Sequence, residues 1–211
     1  MKLHNYFRSS ASFRVRIALA LKGLPYDYVP VHLVKGEQGV PPFADHSPER
    51  LVPLLEVDGE HFSQSLAIIE YLDEAHPGQP LLPASPAERA HVRAIAQDIA
   101  CEMHPVNNLR VLKFLTGTLG LSEEQKMQWY RHWVQVGFEA VERQLARHAG
   151  LFCFGDQVTL ADLCLVPQVF NAQRFDCPLE AFPTVMRVHQ HCMSLPAFQA
   201  AAPQACPDAQ A

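Results

Sequence analysis

Over the first eighty residues, hydrophobic and polar positions switch between a period of two and a period of about 3.6, the signatures of strands and helices. KLHNYF reads as a short strand. From Ala11 to Gly23, Val15, Ala18, Leu19 and Leu21 recur at helical spacing with Arg14, Arg16 and Lys22 between them, and Gly23 is a natural stop. PYDYVPVHL alternates as a half-buried strand. KGEQGVPPFADHSPER reads as a loop with room for one irregular helical turn, long enough to carry function. LVPLLEVDGEHF predicts two strands about the turn Asp58-Gly59, and QSLAIIEYLDEAH an amphipathic helix.

The order βαβ, loop, ββα requires a mixed sheet, because a crossover makes parallel neighbours and the Asp-Gly turn antiparallel ones. A thioredoxin-like layer satisfies it. Pro53 stands where a central strand should begin, and proline cannot donate to a ladder, so a special turn with a cis peptide is expected there. The Pro-rich stretch HPGQPLLPASP separates this unit from a run of helical patterns: ERAHVRAIAQDIACEMHPVNNLRVLKFL, SEEQKMQWYRHWVQVGFEAVERQLARH, TLADLCLVPQVFNAQRF and EAFPTVMRVHQHCMSL. The expected fold class is α/β plus all-α: a thioredoxin-like domain over 1–82, a linker over 83–87 and an all-helical domain over 88–211. Thr159 and Asp162 form a capping box with Val158 and Leu163 at the staple positions, a structural device that starts a helix. The tail PQACPDAQA has no periodicity and is expected to fray.

Composition narrows the function. With 48% apolar residues in a chain of 211, a sizeable core is available. Seventeen Lys and Arg stand against 22 Asp and Glu, a net charge of −5 without a basic block, which argues against a nucleic-acid partner. No apolar run reaches membrane-spanning length and the first residues lack a signal-peptide pattern, so a soluble, cytoplasmic protein without a membrane partner is expected. Six cysteines, Cys101, Cys153, Cys164, Cys177, Cys192 and Cys206, lie at irregular spacing without a CxxC pair, which suggests reduced thiols. His189 and Cys192 share a helical face beside His191, but no second ligand cluster accompanies them, and no metal is expected.

Candidate chemistry gathers at helix starts. Ser9 and Ser10 lie where the first strand meets the first helix, and free amides with the helix dipole there favour an anion such as a thiolate; ordinary N-capping by serine is the alternative. Gln64 and Ser65 form a second such junction, suited to a carboxylate or, again, to a helix cap. Arg8, Arg110 and Arg174 offer cationic partners to an acidic small molecule, though a single arginine is more often a solvated surface charge. His104 and Asn108, four apart, share a helical face, and Pro105 between them marks a bend or a helix start.

SSASFRVRIALALKGLPYDY closely resembles the opening of the zeta class of glutathione transferases, whose pattern is SSCxxRVRIAL. LVPLLEVDG, QSLAIIEYLDE, DIACEMHPVNNLRVLKFL and GDQVTLADLCLVPQVFNAQRFD continue the resemblance in order over nearly the whole chain. It implies the glutathione transferase fold, glutathione as cofactor, a small anionic keto-acid substrate and a homodimer. The activity it implies is glutathione-dependent cis–trans isomerization of maleylacetoacetate or maleylpyruvate in the breakdown of aromatic amino acids or other aromatic compounds. Residue by residue, it assigns Ser9 to the glutathione sulfur with Ser10 beside it, and Gln38, Val52 and Pro53 to the glutathione backbone. Gln64 and Ser65 are assigned to the γ-glutamyl carboxylate and amine. His104, Asn108 and Arg110 are assigned to glutathione and substrate from the helical domain, and Arg8 and Arg174 to the substrate. The chain departs from the class pattern at Ala11, where the class has cysteine, so side reactions that use that thiol are not implied. Two other outcomes stand beside isomerization: conjugation or dehalogenation of electrophiles, and a non-catalytic binding protein of the same fold.

Overall fold

The structure, a computed structural model, describes residues 1–210, with only the backbone of Gln210. Two compact units emerge: one combines Met1–Leu81 with the closing segment from Met193 onward, the other is Leu82–Cys192.

In the first unit, β1 (Lys2–Asn5), α1 (Ser10–Leu21) and β2 (Asp27–Pro30) form a parallel crossover. A 3₁₀ turn at Glu37–Gly39 and the short α2 (Phe43–His46) occupy the loop, followed by β3 (Leu54–Val57), β4 (Glu60–Ser63) and α3 (Ser65–Ala75). The sheet order is β2-β1-β3-β4, with β3 antiparallel to both β1 and β4. This is the mixed thioredoxin-like layer that the element order requires. Asp58 and Gly59 both take positive φ, 51° and 85°, as the tight hairpin turn demands.

The first helix buries its polar positions along with its apolar ones. Nearly all of α1 is enclosed, and Arg14 and Arg16, set among its apolar positions, are each only 2% exposed. Lys22, at its end, is anchored by an ion pair to Asp73 at 2.8 Å and by donation to the His76 carbonyl.

The second unit is helical. It contains α4 (Pro86–Gln97), a π-helical stretch (Asp98–Met103), α5 (His104–Val106), α6 (Leu109–Gly117), α7 (Glu123–His148), α8 (Leu160–Arg174) and α9 (Pro183–Met193). The pattern that reads as one helix through DIACEMHPVNNLRVLKFL is therefore broken twice. Pro105 cannot supply the amide that a continuing α-helix would need, and the wider π turn precedes it. Gly137 of α7 lets the π stretch approach closely: a Cβ there would lie 2.9 Å from Met103 Cγ and closer still to Cε. The predicted capping box is present, the Asp162 carboxylate accepting from the Thr159 amide at 2.8 Å and also from the Cys153 amide at 2.7 Å.

The closing segment is ordered rather than frayed. It forms α10 (Pro196–Ala201), packed against α1, and two 3₁₀ turns at Pro203–Ala205 and Pro207–Gln210. Short i→i+3 turns begun by prolines have no hydrophobic period, which is why the sequence pattern misses them. Cys206 is buried there, and Cys153, Cys164, Cys177 and Cys192 are buried in the second unit, while Cys101 is exposed; none of the six is in a disulfide. Burial pushes the thiols of Cys153, Cys192 and Cys206 up, and that of Cys177 to about 11.

Candidate functional site

Strand register decides where the candidate residues of the first unit emerge. His4 pairs with Leu54 and Leu54 with Ser63, so the C-terminal ends of β1 and β4 and the start of β3 share one end of the sheet. The parallel pairing of Asn5 with Pro30 brings the end of β2 there as well. Ser9, Val52-Pro53, Gln64-Ser65 and the loop holding Gln38 thus leave the sheet at the same end. Tyr6, Val31, Phe43, Val52 and Leu54 form an apolar cluster there, with Phe7 and Leu33 packed against it.

Ser9 is the N-cap of α1. Its Oγ accepts from the Ser12 amide at 3.2 Å, and its own amide donates to the Tyr6 carbonyl at 2.9 Å. A hydroxyl that accepts one bond still has its proton to give, so capping and anion binding are compatible here rather than exclusive. No acidic residue lies in the first turn of α1 to oppose an anion. Ser10 is buried, and the Arg8 guanidinium is exposed and rests over the Phe7 ring, 4.8 Å from its centre.

The second junction behaves differently from an ordinary cap. Gln64 sits at the N-cap of α3 with φ 66°, and its side chain makes no capping bond. A non-glycine residue held there costs on the order of 1–3 kcal/mol, the kind of strain that surrounding structure sustains at functional positions. Ser65 is buried at the first helical position, where its Oγ accepts from Arg14 Nη1 at 3.2 Å. The Val52–Pro53 peptide is cis, as the sequence led us to expect, and Pro41–Pro42 is cis as well. In the 3₁₀ turn, Gln38 has a buried Oε1 without a hydrogen-bond partner.

The remaining candidates lie in the second unit. Asn108 N-caps α6, accepting from the Arg110 amide at 3.0 Å, and its Nδ2 lies 3.5 Å from His104 Nε2. Arg110 is exposed. Arg174 ends α8 with its guanidinium 4.5 Å from the Phe175 ring centre, and Phe175 packs in turn on Tyr130. Burial raises the Tyr130 hydroxyl, with Arg174 pulling the other way. His191 meets the Phe152 ring edge-on, and the Cys192 thiol donates to Asp162 at 3.7 Å. No group of three or more His, Cys, Asp or Glu side chains is arranged for a metal among the described residues.

Sequence reasoning missed Arg14 and Arg16. Arg16 donates to Asn5 Oδ1 at 3.0 Å, to the carbonyls of Phe7 at 3.1 Å and Ala201 at 2.9 Å, and more weakly to that of Tyr6. The available signal was their place in a crossover helix, which a neighbouring layer covers; the helical period alone marks them as outward-facing.

Two donor sets and one acceptor of the first unit fit a thiol tripeptide with carboxylates: a free-proton hydroxyl on a helix N-terminus, a second helix N-terminus carrying Ser65, and the buried, unpartnered Gln38 oxygen, which accepts from a ligand N–H. Comparison with known proteins points the same way. The pattern of the glutathione S-transferase N-terminal domain matches residues 3–80, and that of the C-terminal domain residues 131–196. The maleylacetoacetate isomerase of Pseudomonas aeruginosa is 47% identical, with 100% of each chain covered. Among solved structures, a holo maleyl pyruvate isomerase, described as a bacterial glutathione S-transferase of the zeta class, superposes with a TM-score of 0.96 at 45% identity over 99% of each chain. A maleylacetoacetate isomerase of Methylobacterium extorquens AM1, solved with malonate and glutathione bound, gives a TM-score of 0.95 at 40% identity over 98% of each chain. No described helix is long and apolar enough to cross a membrane.

Proposed function

The chain belongs to the glutathione S-transferase family and to its zeta class, and from that membership we propose that it catalyses the glutathione-dependent cis–trans isomerization of a maleyl keto acid. Maleylacetoacetate and maleylpyruvate present the same reacting unit and are both within this reading. Bound in the first unit, glutathione supplies a thiolate that adds to the cis double bond, frees rotation about it and departs unchanged. The observation that carries the reading is the Ser9 hydroxyl, fixed on the N-terminus of α1 by the Ser12 amide with its proton left to donate.

The chain's own residues have four tasks. Ser9, with the amides that open α1 and Ser10 beside it, holds the sulfur as its anion and lowers the thiol pKa. Gln64 and Ser65 hold the γ-glutamyl carboxylate and amine, and Gln38, Val52 and Pro53 meet the tripeptide backbone. Arg8 and Arg174 bind the substrate carboxylate or offset the negative charge that develops on its carbonyl oxygen. His104, Asn108 and Arg110 contribute polar contacts to glutathione and substrate from the second unit. The same reading includes a cytoplasmic homodimer, which sedimentation at micromolar concentration tests; a fully active monomer of 23.6 kDa would remove the dimer from it.

The deciding experiment supplies a cis-maleyl keto acid and follows product and free thiol together. Turnover that requires glutathione yet leaves its total concentration constant supports isomerization. Stoichiometric loss of thiol would establish conjugation instead. Running maleylacetoacetate and maleylpyruvate in parallel ranks the substrates by kcat/KM.

A further inference from the structure

The closing segment reaches back to the loop that carries Ser9. The Asp208 carboxylate accepts from the Phe7 amide at 3.2 Å through one oxygen and, through the other, from the Tyr28 hydroxyl. On the opposite side of the same residue, the Phe7 carbonyl accepts from Arg16 Nη2, while Arg16 Nε is tied to the Ala201 carbonyl at the end of α10. The backbone of Phe7 is thus gripped on its N–H by an acid and on its C=O by a buried guanidinium. Ser9 follows two residues later, with its amide on the Tyr6 carbonyl, an oxygen that Arg16 also approaches. The ring of Phe7 is in turn the surface on which the Arg8 guanidinium lies.

We propose that Asp208, acting with Arg16, is a positioning residue for the reaction: the closing segment is a strap that sets the height and direction of Ser9, and of Arg8, at the sheet end. The inference rests on the assignment of Ser9 to the glutathione sulfur. A four-residue stretch between strand and helix has few constraints of its own, and small misplacement of a donor to a thiolate is costly in rate. Asp208 and Arg16 supply charge-assisted bonds at the point where slack would matter. Their contacts lie within the unit that binds the tripeptide.

Electrostatics and positioning predict opposite signs, which makes the proposal testable. Removal of a carboxylate near the site, taken alone, favours a neighbouring thiolate and lowers the pKa of bound glutathione. Loss of the strap loosens Ser9 and raises it. For Asp208→Ala we expect the thiolate absorbance of bound glutathione to titrate at higher pH and kcat to fall roughly ten-fold, with glutathione affinity measured below that pKa changed less than about two-fold. Asp208→Asn, which loses the same charge but keeps an oxygen to accept from the Phe7 amide and gains an NH2 that can donate to the Tyr28 oxygen, should recover most of both effects. An unchanged or lowered thiol pKa with wild-type kcat in folded Asp208→Ala would overturn the strap; if that variant does not fold, the same outcome in Asp208→Leu, which fills the space but accepts neither bond, does so. Ser9→Ala, measured alongside, separates the two readings. A wild-type thiol pKa and kcat in Ser9→Ala removes the serine assignment itself, whereas a loss there with none in the Asp208 variants removes only the strap.

Discussion

Arg14 shows how a single side chain can carry information that its neighbours in sequence do not. Its guanidinium is buried beneath the first turn of α3 and donates to Ser65, 51 positions away. A positive charge behind the hydroxyl strengthens that hydroxyl as a donor to a carboxylate on its other side. Arg14→Lys keeps the charge but loses the planar fork, so glutathione affinity is expected to fall by about 1–3 kcal/mol. A glutathione analogue that lacks the γ-glutamyl α-carboxylate provides the check by calorimetry. If Arg14 acts through Ser65, the variant binds that analogue as the wild type does; an equal loss for both ligands leaves Arg14 a purely structural role. Ser9 and Gln64-Ser65 were legible as candidates because a helix start has a local signature. Arg14 and Arg16 were not, since their partners Ser65 and Ala201 are 51 and 185 residues distant and no local period reports them.

At the level of elements, the turn chemistry was the most readable feature. Asp58-Gly59 specifies a two-residue hairpin by itself, and its backbone takes the positive φ angles that such a turn needs. The break around Pro105 was readable only as a bend, because a π turn has no residue signature distinct from an α-helix. Gly137 is the place to test what that turn does. Alanine there gains about 1 kcal/mol in helix propensity on α7, but Met103, 2% exposed, must move along its length, and repacking a tight core costs about 1–3 kcal/mol. The repacking term wins because Cγ as well as Cε is crowded, so Gly137→Ala is expected to lower stability by up to about 2 kcal/mol in urea unfolding. Met103 directly precedes His104, and a shift in the π stretch should raise KM more than it lowers stability. A KM equal to wild type would show that the turn does not position His104.

For the molecule as a whole, burial holds two histidines below their ordinary proton affinity, His4 on β1 and His189 on α9. The Nδ1 of His189 is buried without a hydrogen-bond partner. In the unfolded chain both rings protonate at the ordinary histidine value, and in the native state only at lower pH. Between those values the unfolded chain binds more protons. Their contribution to stability is therefore complete above about pH 6.5 and is lost as pH falls through the depressed native values. Urea midpoints should decline from about pH 7.5 to about pH 5.5, and His189→Gln should flatten that decline; an unchanged slope would mean the ring does not titrate on unfolding. Division of the chain into a mixed-sheet unit and a helical unit was visible in the switch of hydrophobic period. The return of the closing segment to the first unit was not, because the apolar face of α10, Phe198 and Ala201, is too short to show a period, and the rest is held by a carboxylate, a guanidinium and two prolines. The distribution of thiols adds a practical consequence. With five cysteines buried and Cys101 exposed on the π stretch, a maleimide dye under brief, mild labelling should attach to Cys101 first, giving the wild-type chain a built-in spectroscopic reporter beside His104.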